Sequence, residues 1–172
     1  MAKILKNGVV VRDNWIRFDS AASDADDAQD WHDDGTLPPG GLLVSLAVWL
    51  KHREALRLHP RTGVLLEPGD DPAHIAADLP RLALVAVNFP KFTDGRGFST
   101  GRLLRERYGF KGELRAVGHI LPDQVFGLGR VGFDAFELPE ARIDDALALQ
   151  QPFSAPYQGA VDQPPLFLRR IA

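Results

Sequence analysis

Residues 82–97 decide the fold expected for this chain. Leu82 to Val87 reads LALVAV, and Asn88 to Gly97 continues as NFPKFTDGRG. The apolar run has the length and composition of a strand that is buried on both faces, as in a parallel sheet. A buried strand, a polar glycine-containing loop and a helix are the elements that place ligand-binding groups at the carboxyl edge of such a sheet. The stretch therefore predicts both an α/β fold and the position of a site.

The alternation of strand and helix repeats along the chain. Strands are predicted at Leu42–Val44, Val64–Leu66, Leu82–Val87, Glu113–Val117 and Phe133–Glu137. Helices are predicted after them, at Leu46–Leu58, Pro72–Leu79, Ser99–Tyr108, Pro122–Val131 and Arg142–Gln150. Consecutive strand–helix units form parallel sheets with right-handed crossovers, so we expect a mostly parallel, five-stranded α/β sheet. Periodicity leaves two architectures open, an open doubly wound sheet and a partial barrel.

The ends of the chain carry different signals. Asn7-Gly8 separates two apolar runs, which predicts an N-terminal β-hairpin within residues 1–14. Residues 19–41 are acidic and are predicted to be a loop. We expect residues 1–158 to form a single α/β domain and residues 159–172 an extended C-terminal tail. Because the hairpin and the apolar residues of the tail need burial, we also predict that one of them forms a homodimer contact.

Composition limits the class of protein. The chain has 172 residues and a net charge of -3, which suits one soluble domain and argues against nucleic-acid binding. It has no cysteine, so it cannot form disulfides or hold a metal cluster through thiolates of its own. The histidines show no metal-binding spacing, and no metal site is expected. Because the N-terminus lacks the apolar core of a signal peptide and no apolar run is long enough to span a membrane, we expect a cytoplasmic protein that does not contact a membrane.

The loop after the third predicted strand is the candidate ligand site. Lys91, Asp94, Arg96 and Ser99 lie in or just after it, and His119 follows the next strand. Since parallel strands send their following loops to one edge, these residues are predicted to surround a small anion. Arg96 would clamp the anion and Lys91 would add a charge. The same residues equally suit a structural turn with capping side chains, and His119 suits either a general base or an exposed turn.

Cofactor motifs are weak. Gly127-x-Gly129-x-x-Gly132 matches the letters of a dinucleotide fingerprint but lies inside a predicted helix. The loop glycines Gly95 and Gly97 do not complete that pattern, and no Walker A motif is present. The sequence therefore assigns no cofactor and leaves open whether the protein is an enzyme.

Several long motifs together resemble one bacterial family, known as domain of unknown function 934. They are FPKFTDGRGFS (89–99), LLRERYGFKGELRAVG (103–118), GFDAFEL (132–138) and FSAPYQ (153–158). The resemblance extends from the KILKNG start to Gln158, apart from the acidic insert. Members of this family tend to be encoded beside assimilatory sulfite reductase and are often labelled oxidoreductases.

The resemblance implies a role in sulfur assimilation and cysteine biosynthesis. We expect an accessory protein or an oxidoreductase component of assimilatory sulfite reduction, with sulfite reductase or its electron donor as the partner. Residues 91–115 contain seven basic side chains, which would face an acidic partner. The alternative is a small α/β enzyme or binding domain for a phosphorylated or sulfur-containing anion.

Overall fold

The computed structural model describes residues 3–18, 40–150 and 158–163. Most of the predicted acidic loop, residues 19–39, lies outside these ranges, as does the tail from residue 164 onward. The strands are β1 (Lys3–Lys6), β2 (Val9–Arg12), β3 (Trp15–Phe18), β4 (Gly41–Ser45), β5 (Thr62–Leu66), β6 (Leu84–Phe89), β7 (Glu113–Gly118) and β8 (Ala135–Phe136).

The helices follow the predicted order with shifted ends. They are α1 (Leu46–Lys51), α2 (Arg53–Leu56), α3 (Arg96–Glu106), α4 (Gln124–Arg130) and α5 (Ile143–Leu149). Short 3-10 turns occupy Pro72–Ile75 and Glu140–Arg142. The predicted helix Leu46–Leu58 is divided at His52, whose ψ of 24° departs from α-helical geometry. The predicted helix at Pro72 is a 3-10 turn, and the carboxylate of Asp71 accepts from the backbone N–H of Ala73 at its start.

The sheet corrects the predicted fold class. It has eight strands in the order β2-β1-β8-β7-β6-β5-β4-β3, and it is mixed rather than five-stranded and parallel. The five predicted strands do form a parallel run from β4 to β8, and β3 extends that run. β1 is antiparallel to both of its neighbours, β2 and β8. Leu5 and Lys6 of β1 pair with Phe136 and Ala135 of β8, so the hairpin covers the edge of β8 that would otherwise be open.

Strand order decides between the two architectures left open by the sequence. From β3 to β8 the parallel strands are neighbours in sequence order, so the sheet curls in one direction and forms a half-barrel. The two terminal strands, β2 and β3, are separated only by Asp13 and Asn14. The Cα atoms of Arg12 and Trp15 are therefore at most about 11 Å apart. The two edge strands of the curled sheet are therefore close to each other at this link.

The hairpin turn explains the direction of β1 and β2. Asn7 and Gly8 both have positive φ, 49° and 78°. Two successive residues with positive φ form the type I′ turn, whose twist matches that of a two-residue hairpin. The predicted N-terminal hairpin is therefore confirmed.

Both faces of the parallel run are buried, as its continuous apolar strands predicted. The large core lies between the sheet and the helices and includes Val44, Val64, Val87 and Ala116. A smaller cluster covers the inner face of the curl; its members are Leu43, Leu65, Leu84, Ala86 and Val117, with Trp15 packed against them. Side chains alternate between these two faces along each strand.

A charged network is buried on the inner face. Arg115 is only 1% exposed, and its guanidinium binds Glu113 at 2.6 Å and Asp13 at 2.9 Å. Lys6 completes the network through a 2.6 Å contact with Glu113. The four side chains have no net charge and join β1, β7 and the β2–β3 link. A buried cation without such partners would be strongly destabilising, so the network fixes how the hairpin meets the sheet.

Candidate functional site

The predicted ligand loop is a tightly bonded turn at the carboxyl end of β6. The backbone N–H of Asp94 donates to the carbonyl of Lys91 at 2.9 Å. The carboxylate of Asp94 accepts from Nη2 of Arg96 at 2.6 Å, from its Nε at 3.0 Å and from its backbone N at 3.1 Å. Asp94 and Arg96 are thus brought together, and the carboxylate of Asp94 accepts hydrogen bonds from the guanidinium of Arg96.

This pairing changes the acidity of the loop. Hydrogen bonds from the side chain and backbone of Arg96 lower the pKa of Asp94 to about 2. Asp94 is therefore ionised at neutral pH and neutralises the charge of Arg96. An anion would have to compete with this carboxylate for the guanidinium, which makes Arg96 a poorer anion clamp than its sequence position indicates.

Two bonds from neighbouring segments fix the loop further. Nη1 of Arg96 donates to the carbonyl of Pro68 at 3.3 Å, and Nε2 of Gln124 donates to the carbonyl of Phe92 at 2.8 Å. Gln124 is held in turn, because its Oε1 accepts from the backbone N–H of Leu121 at 3.0 Å. The backbone of Phe92 is anchored, yet its ring is 54% exposed and the neighbouring Lys91 is also exposed. The loop therefore presents an aromatic ring and a cation from a fixed backbone.

Ser99 and His119 occupy different positions in the same region. Helix α3 begins at Arg96 with Gly95 as its N-cap, so the prediction that Ser99 starts the helix is wrong. Ser99 is exposed one turn further along. The backbone N–H of His119 donates to the carbonyl of Phe89 at 2.7 Å, which places the exposed His119 at the same edge as the loop.

The basic segment 91–115 is not a uniform charged face. Arg105 is largely enclosed and donates to the carbonyls of Phe110, Gly112 and Gly132 at 2.7–2.9 Å. Its Nη2 also binds the carboxylate of Asp134 at 2.7 Å. Burial raises the pKa of Asp134, although the charge of Arg105 acts in the opposite direction. The arginine therefore holds the turn before β7 against the start of β8.

Two further arginines of the segment are also paired. Arg115 belongs to the buried network, and Nε of Arg102 binds Glu106 at 2.8 Å on the surface of α3. Among the described residues, the cations left to face a partner are fewer than the count of seven indicates. A steering field from this segment is accordingly weaker than the sequence predicts.

An open depression of about 510 Å³ lies at the opposite end of the sheet, where α3 finishes. It is lined by Arg105, Glu106, Phe110, Lys111, Ala160 and Val161. The donors of Arg105 are directed to backbone carbonyls and Asp134, so it contributes little binding capacity there. The carboxyl edge is the better candidate for a site.

A second set of polar residues lies at the carboxyl edge, on the inner face of the curl. Nη2 of Arg17 binds Oε2 of Glu137 at 2.9 Å, joining β3 to the residue after β8. Nδ2 of Asn88 donates to Oε2 of Glu67 at 2.7 Å, joining β6 to the residue after β5. Glu67, Asn88 and Glu137 each lie at or directly after the end of a predicted strand, whereas Arg17 lies in a strand that was not predicted. The sequence feature that could have indicated Arg17 is the strand pattern of Trp15–Phe18, and this stretch is only four residues long.

Other site types receive no support from the described residues. Residues 3–18, 40–150 and 158–163 contain no group of three or more His, Asp or Glu side chains arranged to hold a metal ion. Within the same ranges, every helix is too short or too polar to cross a membrane.

These features define a class: a mixed α/β protein with a half-barrel sheet and a polar carboxyl edge. The chain belongs to the family described as bacterial protein of unknown function (DUF934), whose sequence model matches residues 63–167. The match includes the ligand loop and the motifs around Arg105 and Asp134, and β1 to β4 precede it. Neither curated proteins nor solved structures include a significant match to this sequence.

Proposed function

We propose that this protein is an accessory component of assimilatory sulfite reduction that works by binding the reductase or its electron donor. Family membership supports this assignment, since relatives are expected to be encoded beside the reductase. The observation that carries the binding role is the fixed loop that exposes Phe92 and Lys91. A preorganised aromatic side chain binds a partner with little loss of conformational entropy, and aromatic residues dominate binding energy at protein interfaces.

The loop explains why we favour binding over anion capture. Its bonds hold the backbone of Phe92 and pair Arg96 with Asp94, and its exposed side chains include an aromatic ring and one lysine. Such a pair fits an apolar pocket with an acidic rim on another protein. The anion-binding enzyme remains the second candidate, supported by the location of the loop at the carboxyl edge of the sheet. Turnover of a sulfur-containing anion by the isolated protein would favour this second candidate.

The test is growth on sulfate or sulfite as the sole sulfur source in a strain that lacks this protein. Wild type should restore growth, and affinity-tagged wild type should retain the reductase or its electron donor during purification. Phe92→Ser should weaken both results, because it removes the anchor without touching the bonds of the loop.

Leu58→Ser is the matched control, because Leu58 is 87% exposed and precedes β5 at the opposite end of the sheet. It should behave like wild type. Unimpaired growth of the deletion strain on sulfate and sulfite would contradict the proposed pathway. Equal behaviour of the two serine variants would contradict the role of the loop.

A further inference from the structure

Five of the six parallel strands deliver polar groups to one rim. On the inner face, Leu43, Leu65 and Ala86 are buried. The inward positions two residues further along each strand become polar toward the carboxyl end, where they include Arg17, Ser45, Glu67, Asn88 and Glu137. The inner face therefore changes from an apolar floor to a polar rim. In closed barrels built from parallel strand–helix units, ligands bind at this end of the strands.

Contacts on two sides fix the orientation of Asn88 at the rim. Asn88 is oriented by its bond to Glu67 on one side and by Gly118 on the other. Gly118 has a φ of 90°, and a Cβ atom there would meet the Oδ1 of Asn88 and would lie 2.6 Å from the carbonyl oxygen of Phe89. Gly118 thus allows β6 and β7 to approach closely where Asn88 turns inward.

Each of the two rim pairs leaves some hydrogen-bonding groups outside the pair, and these are donors on Arg17 and Asn88 and an acceptor on Glu67. The Arg17–Glu137 contact uses Nη2 of Arg17, so Nε and Nη1 lie outside it. The Glu67–Asn88 bond uses one carboxylate oxygen and one amide hydrogen, so Oε1 of Glu67 and the second amide hydrogen of Asn88 lie outside it. Donors for an anionic group and an acceptor for a cationic group therefore occur on the same rim.

We propose that this rim binds a small zwitterion of the amino-acid type. The ligand carboxylate accepts from Arg17 and from the second amide hydrogen of Asn88, and its ammonium donates to Oε1 of Glu67. Arg17 is on β3 and Glu67 directly follows β5, and these two strands are two spacings apart, or about 10 Å between backbones. Inward-pointing side chains of a curled sheet shorten that distance. The apolar floor formed by Leu65 and Ala86 lies beneath the ligand and suits its hydrocarbon part.

The test observes Asn88 directly in the full-length protein. In a ¹⁵N-labelled sample, the side-chain amide of Asn88 gives its own pair of NMR signals. Each of the standard amino acids is titrated to about 10 mM, which detects dissociation constants in the millimolar range. We expect at least one amino acid to move these signals in a saturable manner. Acetate and methylammonium, which each carry one of the two charges, should bind at least about tenfold more weakly.

Variants of rim residues, compared with a control variant elsewhere on the surface, test whether binding depends on the rim. Glu67→Gln keeps the size of an exposed side chain and should weaken binding about tenfold, because it removes the charged acceptor. Arg17→Gln should do the same, while Arg102→Gln on the surface of α3 should bind like wild type. Folding of each variant is checked from its amide spectrum.

Three results would overturn the proposal: no saturable shift of Asn88 with any amino acid, equal binding of acetate, or unchanged affinity in folded Glu67→Gln. None of them depends on a reductase partner. The zwitterion site can therefore fail while the accessory role holds, and the reverse is also true.

Discussion

Arg115 of β7 and Asp13 of the β2–β3 link form an ion pair at 2.9 Å inside the curled sheet. The two residues are 102 positions apart in the sequence. Asp13 lies in the short link between the two edge strands, β2 and β3, so the ion pair connects the end of the hairpin to a central strand. The pair is therefore part of what holds the curl.

Replacing the buried cation tests this role. Arg115→Met would leave the carboxylates of Glu113 and Asp13 without their main partner. We expect the free energy of unfolding to fall by about 3–5 kcal/mol, the range for breaking a buried ion pair. Urea denaturation followed by tryptophan fluorescence measures the change. Arg102→Met on the surface of α3 should leave the midpoint unchanged, and a similarly small loss at Arg115 would show that the network is well hydrated.

A methyl group at Gly118 should disturb the junction of β6 and β7. Its φ of 90° is unfavourable for alanine, and the new Cβ would press on Asn88 and Phe89. Gly118→Ala should therefore cost roughly 1–3 kcal/mol of stability. Gly95→Ala is the control, since Gly95 has a negative φ of -81° and a Cβ there meets nothing within 4 Å. Thermal unfolding compares the two, and equal midpoints would argue against the close approach.

The Asp94–Arg96 pair makes a pH prediction. Folding lowers the pKa of Asp94 from 3.8 to about 2, so the pair stabilises the folded loop most fully above about pH 4. The contribution decreases as the pH falls toward 2, where the carboxyl group becomes protonated. The ¹³C resonance of the Asp94 carboxyl should report a midpoint near 2, and Asp94→Asn should abolish that signal. A midpoint close to 4 would mean that the pair is not formed in solution.

Arg105 should not tolerate lysine. Its guanidinium reaches the carbonyls of Phe110, Gly112 and Gly132 together with Asp134, and a single ammonium group cannot bind all four. Arg105→Lys should cost about 1–3 kcal/mol, the penalty for leaving buried polar groups unpaired. The exposed Arg107 provides the control, as Arg107→Lys should be neutral. Chemical denaturation checks both, and a neutral Arg105→Lys would indicate that water replaces the lost donors.

The parallel run of the fold was readable because its strands are long and apolar. LALVAV is buried on both faces as expected, and Asn7-Gly8 forms the expected hairpin turn. β3 was missed because Trp15–Phe18 is too short for a reliable alternation and contains an arginine. The antiparallel attachment of β1 to β8 was also missed, since no local pattern states which edge a hairpin will cover.

For the candidate site, the sequence predicted the position of its loop in the fold and not the contacts within it. Parallel topology placed the loop and His119 at the carboxyl edge, as the structure has them. The pairing of Asp94 with Arg96 depends on the backbone geometry of three residues, which the sequence pattern does not state. The partnership of Arg17 with Glu137 depends on the curvature of the whole sheet, which hydrophobic periodicity does not encode.

The strands that precede the family match, β1 to β4, bear on how proteins of this family should be produced in the laboratory. The range that matches the family begins at Gly63 and so contains β6, β7, β8 and most of β5. A fragment cut to that range would lack β4 beside β5 and β1 beside β8, leaving two apolar strand edges open to pair with other chains. We expect such a fragment to aggregate, whereas the chain that keeps the hairpin and β3 carries its own edge protection. Domain limits drawn from sequence similarity alone would therefore divide a single sheet.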